Sequence, residues 1–548
     1  MQRGPLFLIL FVFSLLSTAQ EINSLIREEK PKLVVGIVVD QMRYDYLTRF
    51  WNKYSDDGFK RLINHGFNFK NNHFNYVPTY TGPGHASVFT GTGPSNHGII
   101  GNNWYDKFIG QEVYCTQDDR VSSVGTDSPA GKMSPHRMKT TTVADQNRLH
   151  TQMKGKTIGV ALKDRGSILP AGHTANAAYW FHGEDEGNWI SSSFYLDKLP
   201  KWVKDFNESG IVGSYLKPWT TLYDIDKYEE SGEDLNVFES GFNGMESAVF
   251  PYDLKFLAPA NKGFDLLKTV AYGNDLTLDF ALAAVKAEEL GKDEYTDFLT
   301  LSFSSPDYVA HNFGVNSKEI QDTYLRLDLN LARLLKELDE FVGEGNFTIF
   351  LTADHGGVHV PSYLKSLKIP SGYFDPNDFE KRLRIFLDEK FEGDNLIRNI
   401  SNNQIFLNYG ALHKNDINHD EIEKVLAQFI LQLDQIDKVY TRSQISKGGF
   451  LKGIEADIKN GFNQKRSGDV IFILDPATII YPLTGSTHGS GHMYDTHAPL
   501  IFFGAGIKQG STTQRSEITD IAPTISALLG ISFPNSSTGK PLNIMLDK

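Results

Sequence analysis

The side chains in this sequence that could bind a metal are aspartates and histidines placed near the ends of apolar, β-branched runs. The three aspartates that follow such runs are Asp40, Asp307 and Asp354. The histidines that accompany them, or that lie in a later Gly-, Ser- and Thr-rich stretch, are His311, His355 and His488. The i, i+4 spacing of Asp307 and His311 places two side chains on one face of a helical turn. Mixed carboxylate and imidazole donors suit Zn²⁺, which takes about four ligands per ion.

Each of these residues could instead have an ordinary structural role. Asp40 could cap a helix that starts near Tyr44, and a single histidine could be a hydrogen-bonded core residue or part of a surface turn. The adjacent side chains of Asp354 and His355 point in different directions, so they could ligate two neighbouring metals or one metal from two sides. The set favours a metal centre, because aspartates at three strand ends with histidine companions rarely arise by chance.

Thr81 stands directly before Gly82-Pro83-Gly84, between an extended run and a helix-forming one. The Gly-Pro-Gly sequence predicts a tight, exposed turn that lets a ligand approach the backbone. Residues 85–90 can start a helix whose first N–H groups face an anion. Thr81 is therefore a candidate nucleophile, although taken alone this stretch is more typical of an ordinary loop.

Three further polar side chains could hold an anionic group beside Thr81. Lys163 and Arg165 follow a buried strand pattern at residues 156–162 and could converge on one anion, the arginine through two parallel hydrogen bonds. Asn102 lies in a Gly- and Asn-rich loop that can fold back over Thr81. The alternatives are a solvated surface pair for the two cations and a turn residue for Asn102.

A metal centre would supply what the Thr81 hydroxyl lacks, since threonine is a poor nucleophile near neutral pH and no base is evident beside it. Coordination to a dication would stabilise the alkoxide, and a second dication would stabilise the leaving-group oxygen. Two metals roughly 4 Å apart form the clamp used for in-line phosphoryl displacement. Asn102, Lys163 and Arg165 would then hold the remaining phosphoryl oxygens.

The elements that must position these residues indicate an α/β fold. Buried strand patterns at residues 32–39, 156–162, 298–303 and 347–352 are separated by helical patterns, including a long amphipathic one at 320–341. In open α/β sheets, ligand-binding groups gather beyond the carboxyl ends of the strands. We therefore expect a mostly parallel central sheet with helices on both faces, in one domain spanning residues 21–548 with insertions at about 175–260 and 360–480.

The composition restricts the partners and the location. A formal charge of −13 over 548 residues argues against general binding to nucleic acids or anionic membranes. Residues 1–20 have the form of a signal peptide, with Arg3 before an apolar run and a small-residue cleavage site, although an uncleaved anchor is an alternative. Cys115 is the only cysteine, so no intramolecular disulfide can form. We expect a monomeric, periplasmic or secreted enzyme with no membrane anchor after cleavage.

Eight stretches together resemble the alkaline phosphatase superfamily, most closely its branch of nucleotide pyrophosphatase/phosphodiesterases and bacterial PafA-type alkaline phosphatases. They are VVGIVVDQMR (34–43), YVPTYTGPGHAS (76–87), NHGIIGNNWYD (96–106), LKDRGSILPAGH (162–173), SPDYVAHNFG (305–314), TADHG (352–356), GSTHG (485–489) and DIAPT (520–524). They keep the family's order over nearly the whole chain after residue 20, so the resemblance is specific.

The resemblance implies an alkaline phosphatase fold with two Zn²⁺ ions. One set of ligands corresponds to Asp307, His311 and His488. The other corresponds to Asp40, Asp354, His355 and the Thr81 oxygen. The resemblance also implies hydrolysis of small phosphate monoesters through a covalent phosphothreonine at Thr81, with release of inorganic phosphate. The phosphoryl-binding groups of the family correspond to Asn102, Lys163 and Arg165.

The Lys163/Arg165 pair favours a monoesterase, because a monoester has additional anionic oxygens that need cationic partners and a diester has one oxygen alkylated. A phosphodiesterase or nucleotide pyrophosphatase on the same scaffold is the main alternative, since residues 175–260 could form a nucleotide pocket. A sulfatase fits less well, because Cys115 lacks the Cys/Ser-x-Pro-x-Arg setting that sulfatases have. A non-enzymatic secreted zinc-binding or adhesive protein would be expected to have lost the nucleophile, a ligand or the phosphoryl-binding groups, and all three are present. Thr79 is the weaker candidate nucleophile.

Overall fold

The computed structural model describes residues 30–546, and the predicted signal peptide lies outside them. Its largest element is a ten-stranded sheet. The strands, in order across the sheet, are Gly510–Thr512, Phe67–Phe69, Leu500–Gly504, Phe347–Thr352, Leu33–Val39, Asp297–Phe303, Thr157–Ala161, Ala177–His182, Asn188–Ser192 and Ser123–Val124. The five strands from Phe347–Thr352 to Ala177–His182 are parallel. Antiparallel strands border them on both sides, so the sheet as a whole is mixed.

The parallel centre of the sheet confirms the predicted α/β fold. All seven residues of Leu33–Val39 are buried, because helices and loops cover both faces of the sheet. The longer helices are Phe59–His65, Thr81–Thr90, Val143–His150, Asp164–Ala171, Lys201–Glu208, Tyr272–Ala287, Ser305–Phe313, Lys318–Leu338, Pro361–Ser366, Pro376–Lys390, Tyr409–Lys414, His419–Ile430, Arg442–Lys447, Gly453–Gly461 and Ile521–Leu529. Among the described residues, no helix is both long enough and apolar enough to cross a bilayer.

The stretch at 360–480 forms a small α/β unit with its own hydrophobic cluster. Its four-stranded sheet has the order Ile397–Ser401, Gln404–Leu407, Val470–Leu474 and Ile436–Thr441. Phe379, Leu383 and Leu426 from two of its helices pack with Val470 and Phe472 from the sheet. Two-stranded ladders elsewhere pair Asn103–Asp106 with Gln111–Tyr114, Asn72–His73 with Ser516–Glu517, and Gly372–Tyr373 with Thr478–Ile479.

The predicted insertion at 175–260 begins too early. Ala177–His182 and Asn188–Ser192 are strands of the central sheet, and short helices and irregular structure follow only after them. The sequence of this stretch is rich in aromatic residues, which suit a buried strand as well as a covering loop. Ala177–His182 is buried on both faces, so it shows no alternation of apolar and polar residues that would reveal a strand.

Candidate metal centre and phosphoryl site

Three neighbouring parallel strands bring the aspartates together at one edge of the sheet. Leu33–Val39 lies between Asp297–Phe303 and Phe347–Thr352, with Val38 in register with Ser302 and Thr352. Asp40 follows the first strand directly, and its amide donates to the carbonyl of Phe303. The alternative role for Asp40 as a helix cap does not apply, because the helix Tyr46–Arg49 begins after Asp45.

Asp307, His311 and His488 form the first group of donor atoms. Oδ1 of Asp307 lies 3.2 Å from Nε2 of His311, on the same helix, and 3.5 Å from Nε2 of His488. Nδ1 of His311 donates to the Ser486 carbonyl at 2.7 Å, and Nδ1 of His488 donates to the Thr79 carbonyl at 2.8 Å. These bonds fix both rings and leave each Nε2 directed at Asp307.

Asp40, Asp354 and His355 form the second group. Nε2 of His355 lies 3.4 Å from Oδ2 of Asp354 and 3.6 Å from Oδ1 of Asp40. Its Nδ1 donates to the Gly356 carbonyl at 2.9 Å. Donor atoms of Asp40, Asp307 and His355 also lie within 4.8 Å of one another, so Asp307 borders both groups. The rings of His355 and His488 stack with centroids 3.5 Å apart.

The buried polar atoms of this cluster that lack hydrogen-bond partners fit metal binding. The buried atoms that lack a hydrogen-bond partner among residues 30–546 include Asp40 Oδ1, Asp307 Oδ1, Asp354 Oδ2 and His355 Nε2. A buried polar atom without a partner costs about 1–3 kcal/mol, more when it is charged. These atoms face one another, and three carboxylates with three imidazoles are donors that suit Zn²⁺.

The charge states of the ligands agree with metal binding. Burial lowers the pKa of both His355 and His488, which favours the neutral imidazole that coordinates metals. Burial, reinforced by the charge of Asp354, raises the pKa of Asp40 well above its ordinary value. Burial also opposes ionisation of Asp307, but His311 and Lys163 hold the pKa of Asp307 well below its ordinary value. Asp40 therefore needs a nearby positive charge to remain ionised.

Lys163 supplies positive charge between the two groups. Its Nζ donates to Oδ2 of Asp40 at 2.6 Å and to Oδ2 of Asp307 at 2.5 Å. Burial lowers the pKa of Lys163, but Asp307 and Asp40 together raise it above its ordinary value, so the side chain is an ammonium. The ring of Tyr308 lies 4.8 Å from the same nitrogen. Lys163 is therefore adjacent to the carboxylates of Asp40 and Asp307 rather than to solvent.

Thr81 is the first residue of the helix Thr81–Thr90 and is buried. The prediction of an exposed turn before a helix at residue 85 was wrong, because Gly82, Pro83 and Gly84 form the first helical turn. Proline is tolerated there, since first-turn N–H groups have no partner within the helix. A Cβ on Gly84 would lie 2.3 Å from the Asp354 carbonyl oxygen, so glycine lets this helix pack directly against a ligand-bearing loop.

Asn102 reaches the start of this helix as expected. The amide of Gly82 donates to Oδ1 of Asn102 at 2.7 Å. His85, one turn along the helix, contacts both Thr81 and Asp354: its Nδ1 lies 2.9 Å from the Thr81 carbonyl and 3.3 Å from Oδ2 of Asp354. The hydroxyl of Thr79, the other candidate nucleophile, donates a hydrogen bond to the Ser490 carbonyl.

Arg165 is held by a different partner from Lys163. Its NH1 donates to the Tyr114 hydroxyl at 3.0 Å, and that hydroxyl donates to Oδ1 of Asp164 at 2.5 Å. The Nε of Arg165 is buried and has no hydrogen-bond partner in the described part of the chain. Within the described residues the two cations therefore share no side-chain hydrogen-bond partner, and Arg165 keeps donor capacity for an oxyanion.

Three residues that position the site were not found by sequence reasoning: His85, Tyr114 and Asp495. Oδ2 of Asp495 accepts hydrogen bonds from the Gly489 amide (3.1 Å), the Ser490 amide (2.8 Å) and the Ser490 hydroxyl (2.6 Å). The carbonyl of Asp495 accepts from the Gly356 amide at 2.7 Å. Asp495 thereby joins the loops that carry His488 and His355. Its only sequence signal is an acidic residue shortly after a Gly- and Ser-rich loop.

Comparison with known proteins gives the family. Residues 34–495 match the family described as type I phosphodiesterase / nucleotide pyrophosphatase. A Myroides odoratus protein named calcium-transporting ATPase is 45% identical over 525 residues, covering 95% of both chains. Alkaline phosphatase PafA of Elizabethkingia meningoseptica is 43% identical over 534 residues, covering 97% of this chain and 96% of that one. A crystal structure of wild-type alkaline phosphatase PafA matches with a TM-score of 0.91 at 43% identity, covering 94% of this chain and 99% of that one. The predicted resemblance is confirmed: this chain belongs to the type I phosphodiesterase/nucleotide pyrophosphatase family and has the fold of alkaline phosphatase PafA.

Proposed function

We propose that this protein is a zinc-dependent alkaline phosphatase that hydrolyses small phosphate monoesters to inorganic phosphate through a phosphothreonine at Thr81. The main support is the position of Thr81. It begins a buried helix that packs against the Asp354 loop, and the residue after it is hydrogen-bonded to Asn102. A relative that matches over nearly the whole chain is an alkaline phosphatase.

Two zinc ions would be held by the two groups of donors described above. One group is Asp307, His311 and His488. The other is Asp40, Asp354 and His355, with the Thr81 hydroxyl. Metal ions held there would supply positive charge that favours the ionised Thr81 hydroxyl and offsets negative charge on the leaving-group oxygen. The carboxylate oxygens of Asp40, Asp307 and Asp354 that lack a hydrogen-bond partner would be available to coordinate the two ions.

The residues of the chain provide the remaining steps. The Thr81 hydroxyl gives its proton to solvent and attacks phosphorus, and the bond from phosphorus to the ester oxygen breaks. The leaving oxygen takes a proton from solvent and departs as the alcohol. Water then attacks the Thr81 phosphate, which releases inorganic phosphate and restores the Thr81 hydroxyl.

The amides of Gly82 and Gly84 are already bonded to Asn102 and to the Tyr80 carbonyl, and Pro83 has no N–H. The positive end of the dipole of the helix Thr81–Thr90 still favours negative charge at this position. The Nδ2 group of Asn102 is left free to donate to a phosphoryl oxygen, since its Oδ1 is engaged by Gly82.

Lys163 and Arg165 account for a preference for monoesters. A monoester brings one more negative charge to the site than a diester. Lys163 is buried and Arg165 is partly buried, and charge-assisted hydrogen bonds are strong where water is excluded. Arg165 offers an unpaired Nε, and Lys163 offers an ammonium adjacent to the cluster. A phosphodiesterase on the same scaffold would gain little from either cation.

The test compares kcat/KM for an aryl phosphate with kcat/KM for the matching methyl aryl diester, with zinc supplied. We expect a large preference for the monoester. Changing Lys163 and Arg165 together to alanine is expected to reduce monoester turnover by about 10²-fold or more and diester turnover far less. Lys201→Ala, a change at an exposed lysine, serves as the control. ATP is included, because one relative is named a calcium-transporting ATPase. A preference for the diester would make this protein a phosphodiesterase.

A further inference from the structure

Four cationic side chains meet at the loop that precedes Asn102. Arg137 and Lys139 come from the catalytic core, and Lys465 and Arg466 follow the helix Gly453–Gly461. Gly98 lies between them: a Cβ there would be 2.8 Å from NH1 of Arg466 and 3.3 Å from Cγ of Lys139. NH1 of Arg466 donates to the Arg137 carbonyl at 2.9 Å and to the Gly98 carbonyl. The cluster therefore spans the junction between the core and the 360–480 unit.

These cations have no carboxylate partner. Within residues 30–546, none of the four forms an ion pair, and the Nε of Arg137 is buried without a hydrogen-bond partner. The carboxylate of Asp106 is near enough to act on Lys139 and Arg466, but its Oδ1 accepts from the amides of its own turn, at residues 108 and 109. In a chain with a formal charge of −13, this is a local excess of positive charge.

Holding these four positive charges together without a carboxylate partner has an energetic cost. Burial lowers the pKa of Arg466 to about 10, and the charge of Arg137 contributes to that shift. Burial also lowers the pKa of Lys139, and Arg466, Arg137 and Lys465 lower it further. Arg466 lies over the ring of Trp104 at 5.1 Å and donates to the carbonyls of Gly98 and Arg137, and these contacts hold it beside its cationic neighbours. An anion bound between these side chains would attract each of them and so offset the repulsion among the four positive charges.

We propose that Arg137, Lys139, Lys465 and Arg466 form a second anion site, which takes a soluble anion with two or more phosphate or sulfate groups. The Nε of Arg137 has no hydrogen-bond partner among the described residues, so its guanidinium keeps donor capacity for a bidentate contact with an oxyanion. Lys139 and Lys465 are exposed at the rim, where their ammonium groups contact a second group of the same ligand. The site uses none of the residues assigned to the phosphoryl group at Thr81.

The test measures binding of inositol hexasulfate to the full-length, zinc-loaded protein by titration calorimetry at fixed low salt. Lys139 and Lys465 changed together to alanine are expected to weaken binding about tenfold or more, because two charge-assisted contacts are lost. The control changes Lys201 and Lys336 together to alanine; these are also exposed, and the change in net charge is the same. This control is expected to bind like the wild type.

A third variant separates this site from the proposed active site. With Lys163 and Arg165 both changed to alanine, binding of inositol hexasulfate is expected to match the wild type, whatever happens to turnover. If that variant loses binding, the probe occupies the phosphoryl site and the proposal is wrong. If the Lys139/Lys465 variant binds as tightly as the wild type, the proposal is equally wrong. Turnover of a small aryl phosphate by the Lys139/Lys465 variant is expected to remain at the wild-type level.

Discussion

The backbone amide of Gly82 donates a 2.7 Å hydrogen bond to Oδ1 of Asn102. The residue after the proposed nucleophile is therefore joined to the Gly- and Asn-rich loop at residues 96–103. Because the bond uses the carbonyl side of the amide, the Nδ2 group of Asn102 is turned away from Gly82. The same side chain can thus hold the start of the helix and donate to a phosphoryl oxygen on Thr81.

We expect Asn102→Ala to lower kcat/KM for a phosphate monoester by about 10²–10³-fold, the usual effect of losing one oxyanion donor. Asn102→Asp keeps an acceptor for Gly82 but directs negative charge at the phosphoryl group. It is expected to lose at least as much activity while unfolding at the wild-type temperature. Wild-type turnover in the aspartate variant would show that Nδ2 makes no contact with the substrate.

Asp495 is expected to control metal affinity without touching a metal. Its carboxylate receives three hydrogen bonds from Gly489 and Ser490, next to His488. Loss of an interaction that orients a ligand typically costs 10–100-fold in metal affinity. We therefore expect Asp495→Ala to weaken zinc binding by about that factor, measured by competition with a fluorescent chelator. Ser490→Ala removes only one of the three bonds and is expected to have a smaller effect, so equal zinc affinities in all three proteins would contradict this role.

The tight packing of the nucleophile helix can be tested at Gly84. An added Cβ would lie 2.3 Å from the Asp354 carbonyl oxygen and 2.7 Å from its Cβ. Gly84→Ala is expected to reduce the free energy of unfolding by about 1–3 kcal/mol, as overpacking of a rigid contact does. Gly213→Ala is the matched control, since a Cβ there meets no atom within 4 Å. Both are measured by urea denaturation, and an equal effect of the two would contradict the packing described.

Because the carboxyl of Glu319 is buried, we expect the free energy of unfolding to fall as the pH rises. Burial raises the pKa of Glu319 to about 8, and burial together with the charge of Glu319 raises the pKa of Glu239 to about 10. A carboxyl with a raised folded-state pKa contributes stability below its unfolded pKa, and that contribution is lost as the pH rises through the folded-state value.

Glu319→Gln removes this titration and keeps an acceptor for the hydroxyl of Tyr252, which lies 2.5 Å from Oε1 of Glu319. Its free energy of unfolding relative to the wild type is therefore expected to rise as the pH goes from 5 to about 9. The measurement is urea denaturation across this range. The exposed residue Glu344 provides the control variant Glu344→Gln. A difference between Glu319→Gln and the wild type that does not change with pH would disprove the prediction.

The sequence was most informative where function depends on the ends of buried strands. Continuous apolar runs before Asp40 and Asp354 predicted parallel strands, and parallel neighbours end at the same edge of a sheet. The i, i+4 spacing of Asp307 and His311 likewise predicted their contact, because both lie on one helical turn. These features depend on local periodicity and on a single rule of sheet geometry.

Contacts that depend on long-range register could not be predicted in the same way. Tyr114 meets Asp164 and Arg165 only because the hairpin of Asn103–Asp106 and Gln111–Tyr114 folds against the start of their helix. The start of the Thr81 helix was missed, because Gly-Pro-Gly has low helix propensity and tertiary contacts stabilise it there: packing of Gly84 against Asp354 and the hydrogen bond from Gly82 to Asn102. Tertiary contacts override local propensity at both positions.

The proposed role of Thr81 as the nucleophile is tested most directly by looking for phosphate on this residue. Zinc-loaded protein is mixed with an excess of an aryl phosphate, quenched in acid within the first turnovers, digested and analysed by mass spectrometry. We expect one phosphate on the peptide at Thr81 in the wild type and in Thr79→Ala, and none in Thr81→Ala, which should bind zinc but turn over almost no substrate. Phosphate on another residue, or near-normal turnover by Thr81→Ala, would contradict the central claim.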